Sequence, residues 1–143
     1  MEVSDVRRRM REVLAEERRA AAERRSRRDA TARSWTEALE RIVLPVSHQI
    51  VQALKAEGHL VQISAPADAV RISSDSRPQD YVELTLQSDN DDATVVARIN
   101  QARGRETVSE ERVFVRGGTA IGALTEEQVV DFLGKALAGI LVR

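Results

Sequence analysis

Cysteine is absent from the chain. That excludes a disulfide framework and a thiolate metal centre, and it is compatible with a reducing compartment. Histidine is almost as scarce: His48 and His59 are the only two. A zinc site wants more nitrogen or sulfur donors at structured spacing. Ser47 beside His48 makes no nucleophile–base pair, because neighbours on a helix point in different directions. Four aromatic residues, Trp35, Tyr81, Phe114 and Phe132, are few for a platform that stacks nucleic-acid bases. No run of about 18 apolar residues could span a membrane. The N-terminus has no apolar signal core, so the expectation is a cytoplasmic chain. Lysine is nearly missing too, since 20 of the 22 basic residues are arginine, a bias typical of GC-rich bacterial genomes. No catalytic residue, metal ligand or cofactor-binding residue stands out from the remainder.

Glycine and proline are also missing from residues 1–33, where Ala, Arg and Glu dominate. All three are strong helix formers. Acids precede arginines by four positions at Asp5/Arg9, Glu23/Arg27, Asp29/Arg33 and Glu37/Arg41, the favourable order for helical ion pairs. A long helical arm is therefore expected over residues 1–33, ahead of an α+β domain over residues 34–143. Val3, Val6, Met10 and Val13 mark an a/d seam of two heptads, but the same register then meets Glu17, Ala20, Arg24 and Arg27. So short a seam asks for a partner, either a second copy or another protein.

The arm is basic and the body acidic. Residues 1–41 carry 12 basic and 9 acidic residues, a balance of +3, and the rest carry 10 and 14, a balance of −4. Arg7, Arg8, Arg18, Arg24, Arg25, Arg27 and Arg28 form clusters that would suit phosphate contacts. The interleaved acids weaken that field, and no bulky apolar face accompanies the arginines to favour a membrane surface.

The domain reads more conventionally. Residues 34–58 place Trp35, Leu39, Ile42, Val46, Ile50 and Ala53 at helical spacing. Ser34 with Glu37 resembles a capping box at its start, and Gly58 suits the left-handed position after its end. Pro45 interrupts the stripe and predicts a kink, or two helices meeting near Leu44. Five alternating segments follow, at residues 59–64, 69–73, 81–88, 92–101 and 106–115. Their short connections predict an antiparallel meander of four or five strands with one covered face. Val82, Leu84 and Leu86 face the core in the third, and Val95, Ala97 and Ile99 in the fourth. In the fifth, Val113 and Val115 take the core side and Phe114 joins Tyr81 on the outer face. Thr125 and Gln128 form a capping box, with Leu124 and Val129 as its hydrophobic staple, for a closing helix over residues 125–142.

Two loops carry weak chemical signals. Residues 89–92 are acidic but lack the glycine and terminal glutamate of a calcium loop. Arg116, Gly117 and Gly118 lie between a strand and a helix, where backbone amides can hold an anion, yet no Lys and Ser/Thr follow Gly122 as in a phosphate loop. Three functions are thus open. The first is a non-enzymatic, homo-oligomeric or partner-binding assembly protein, the second a nucleic-acid-associated protein, and the third an anion or small-ligand binder at residues 116–122.

Overall fold

The computed structural model describes residues 1–89 and 92–142. A single helical run opens the chain: α1 (Val3–Ala38), a π turn (Leu39–Val43) and α2 (Leu44–Ala56). At about 1.5 Å per residue the run is about 80 Å long. It passes through Ser34 without a break, so the capping box expected at Ser34 and Glu37 does not form; the N-cap is Glu2. The reason lies upstream. Nothing between Val3 and Ser34 breaks a helix, and the turn nucleated by the buried stripe at Trp35 extends backwards one hydrogen bond at a time.

A kink, or two helices meeting near Leu44, was expected at Pro45; a π turn joins α1 to α2, which begins at Leu44. The Leu44 N–H bonds to the Leu39 carbonyl five residues back. The wider turn eases the Pro45 ring away from the carbonyl it would strike in a regular helix. It also delays the helical face by roughly one residue. Downstream burial moves accordingly: Ser47 and Ile50 are buried and Val51 and Leu54 half-buried, whereas Ala53, expected on the stripe, is exposed. The helix ends as its sequence suggests. Gly58 has φ 88°, and the His59 N–H reaches the Leu54 carbonyl at 2.8 Å while the Gly58 N–H reaches Lys55 at 3.1 Å. These are the two bonds of a Schellman closure.

The five strands are β1 (Val61–Ser64), β2 (Ala69–Ser74), β3 (Tyr81–Asp89), β4 (Asp92–Arg103) and β5 (Glu106–Arg116). They pair antiparallel in the order β1-β2-β3-β4-β5. Register places Ile72 opposite Val82, Val70 opposite Leu84, and Leu84 opposite Ala97, so one face is continuous and apolar. That face meets α2 and α4 (Glu126–Leu141), and Val70, Ile72, Val82, Leu84, Val95, Val129, Leu133 and Leu137 are all buried there. The Thr125 box forms, with Gln128 N–H on Thr125 Oγ1 at 3.3 Å and Thr125 N–H on Gln128 Oε1 at 2.9 Å. Leu124 and Val129, its staple, are both buried.

One strand departs from simple alternation. Val95 pairs with Val115 but Val96 pairs with Val113, so Phe114 is an extra residue in β5. A bulge shifts the parity of everything beyond it. Val113 therefore lies on the outer face, 44% exposed, opposite the buried Val96. Phe114 turns to the helices and packs on Phe132, ring centroids 4.7 Å apart. Phe114 therefore does not share the outer face with Tyr81, as was expected; Tyr81 lies under the Arg71 guanidinium at 4.1 Å.

Candidate docking surface on the helical arm

The arm leaves its apolar side chains in solvent. Val3 is 75% exposed, Val6 42%, Met10 49% and Val13 40%, and Leu14, which the heptad reading passed over, is 52% exposed. Helical spacing alone would have found Leu14, which flanks the seam beside Met10. The same helix becomes a core element only from Trp35 onward, where Trp35, Ala38, Leu39, Ile42 and Val43 are buried. Trp35 also donates its indole N–H to the Asp68 carbonyl at 2.7 Å, fastening the helix to the β1–β2 turn. Ala67 in that turn adopts φ 48°.

Between arm and core lies a close crossing. A Cβ on Gly118 would stand 3.3 Å from Thr31 Oγ1. Gly118 thus lets the short helix α3 (Gly118–Gly122) lie against α1. This bears on the loop at residues 116–122. The Gly117 N–H donates to the Ala93 carbonyl at 2.9 Å, and Ile121 is fully buried. Arg116 is exposed at the sheet end. Arg41 reaches the loop from the helix, its Nη2 3.4 Å from the Gly122 carbonyl. Backbone groups and glycines in this loop are engaged in joining sheet, α1 and the central helix, a packing role that sequence spacing could not reveal.

The arginines form no single face. At about 100° per residue, Arg7, Arg8, Arg18, Arg24, Arg25, Arg27 and Arg28 point to all sides of α1. Arg24 is half-buried, and Arg7, Arg18, Arg25 and Arg28 are exposed. Arg27 is engaged with a neighbouring group. Arg8 binds Asp5 at 3.3 Å, and Arg9 binds Glu12 at 3.4 Å. Asp5 thus pairs at three residues' spacing with Arg8, where four-residue pairing with Arg9 was expected. Such exposed pairs are worth little each, roughly 0–1 kcal/mol, but they keep the arm's charge locally compensated.

A cleft of about 480 Å³ opens at the far end of the body, lined among others by His59, Ser74, Asp75, Arg77 and Asp80. Sequence reading did not bring these together, because they come from separate turns. The cleft's two acids are tied to the protein itself. Gln62 Nε2 donates to Asp75 at 2.6 Å, and the Ala102 N–H donates to the buried Asp80 carboxylate at 2.7 Å. The two acids bracket turns and present no aligned nucleophile, base and orienting group. His48 is exposed on α2. Of the acidic loop considered for calcium at residues 89–92, Asn90 and Asp91 lie outside the described residues. Among the described residues no group of three His, Asp or Glu side chains is placed to share a metal ion, and no helix is long and apolar enough to cross a membrane. No family model, curated protein or solved structure matches the chain.

Proposed function

We propose that the protein is a non-enzymatic assembly protein whose N-terminal helix docks onto a second copy of the chain. The observation that carries this reading is the contrast in burial along one helical run: four regularly spaced apolar side chains stay 40–75% exposed on the arm, while Trp35, Ala38, Leu39, Ile42, Val43, Val46 and Ile50 are buried in the body. A helix needs an apolar seam of this spacing to pair with another helix, and has no use for it in water. The body prepares the arm for docking. Because α1 is already nucleated by its buried end, pairing has little ordering cost to overcome beyond the side chains themselves. The seam covers only about two heptads, so the association is expected to be weak and concentration-dependent.

Light scattering on the full chain tests the reading. Wild-type protein is expected to rise towards twice the chain mass with concentration, and Val6→Glu/Met10→Glu/Val13→Glu to remain at one chain mass with unchanged helical circular dichroism. A wild-type chain that stays monomeric at high concentration, or a triple variant that associates as before, would overturn it.

A further inference from the structure

The self-docking reading leaves the arrangement of the two arms open, and the helix geometry constrains it. With about 100° per residue, Val3, Val6, Met10 and Val13 centre on nearly the same side of α1 as Trp35, Ala38 and Leu39, within about 30°. Trp35, Ala38 and Leu39 are buried in the body. The seam and the body therefore lie on one side of the same helix. Two arms pairing in parallel through this seam would bring both bodies to the same level, each occupying the space between the helices. Parallel pairing also sets Glu17, Arg24 and Arg27 each opposite its own copy, a like-charge layer three times over.

We infer that two copies pair their arms antiparallel, with Met10 of each facing Val13 of the other. In that register Val3 faces Ala20, Val6 faces Glu17, and no layer joins like charges. Arg9 and Glu16 of opposite chains flank the centre on one side, and the arginines from Arg24 onward stay outside the overlap. The bodies fall at opposite ends. The overlap also fits the length available. Met1 of one chain comes level with Ala22 of the other, nine residues short of Thr31, which leaves about 13 Å before α3. Sliding the arms one heptad further would bring Met1 level with Asp29, almost onto the Thr31–Gly118 crossing. The seam's failure beyond Val13 and the position of the body are thus one design: the arm is apolar over the part that a second arm can reach.

The absence of cysteine makes the test direct. Full-length Val3→Cys and Ala20→Cys, one of them carrying a mass tag, are oxidised singly and as a mixture, and Val6→Cys with Glu17→Cys are treated alike as a second pair. In the antiparallel arrangement each of Val3 and Ala20 lies about 25 Å along the axis from its own copy, well beyond the about 7 Å that a disulfide tolerates between Cα atoms. The expected result is a covalent dimer in the mixtures and none in either variant alone. Self-cross-linking of Val3→Cys would show parallel arms and overturn the inference while leaving self-docking standing. A dimeric mass without cross-links in either mixture would overturn this register in the same way. Monomeric protein throughout would remove self-docking itself, and the inference with it.

Discussion

Residues 3–30 and residues 31–56 belong to one helical run, yet they are held in place by different means. The second half is fixed by side chains: Trp35, Val43, Val46 and Ile50 are buried in the core cluster, and the indole N–H of Trp35 grips the β1–β2 turn. The first half is fixed by its backbone and by intrinsic propensity. Its arginines, alanines and glutamates favour the helix, and its exposed ion pairs at Arg8 and Arg9 add little. The lesson is that hydrogen-bonded continuity says nothing about burial. A helix started by packing at one end runs on through any residues that do not forbid it, and an apolar seam carried out on such an extension is available to another chain.

Substitutions at the two ends should separate these two kinds of support. The largest effect is expected at Trp35. Trp35→Ala removes a fully buried ring and the bond to Asp68, and should destabilise the body by about 3–5 kcal/mol in chemical denaturation. A loss below about 1 kcal/mol would mean that the body does not depend on this side chain. An intermediate effect is expected where the halves meet. Gly118→Val forces a side chain against Thr31 and should cost about 1–3 kcal/mol. Thr31→Ala, which removes the Oγ1 at 3.3 Å, should recover part of that loss in the double variant. Strict additivity of the two changes would break the view that the crossing joins arm to body.

The smallest effect on global stability is expected within the arm. Ala22→Pro at an exposed helical position removes an N–H and blocks backward propagation. Far-UV circular dichroism should lose the helical signal of the residues ahead of it, since a detached segment of that length is marginal in water. The midpoint of body unfolding should move by no more than about 0.5 kcal/mol equivalent. Self-association should disappear with the helix. A large drop in body stability from this substitution would erase the distinction between the two halves.

Some of the molecule was legible because its signals are local. The Thr125–Gln128 box lies within four residues, and β3 alternates cleanly at Val82, Leu84 and Leu86 with its neighbour strands one short turn away. Gly58 announces a helix end by its tolerance of positive φ. Local signals also misled where a distant one outweighed them. Ser34 and Glu37 have the spacing of a cap, but a cap needs a helix that starts there, and the arm supplied a continuing helix instead. Val113 and Val115 look equivalent two residues apart, yet the bulge at Phe114 sends them to opposite faces. The exposed stripe of the arm was legible at Val3, Val6, Met10 and Val13, and helical spacing from Met10 reaches Leu14 as well, whereas the Thr31–Gly118 crossing was not legible.

The sequence by itself determined the element types, the antiparallel meander and the polar arm, because hydrophobic period, breaker residues and charge are properties of neighbours along the chain. Only the tertiary structure decided where Pro45's strain would be absorbed, which way Phe114 would turn, and that the arm's seam and the body share one side of the helix. Those outcomes depend on the packing of segments far apart in sequence, where a shift of one residue at a π turn or a bulge reorients every side chain beyond it.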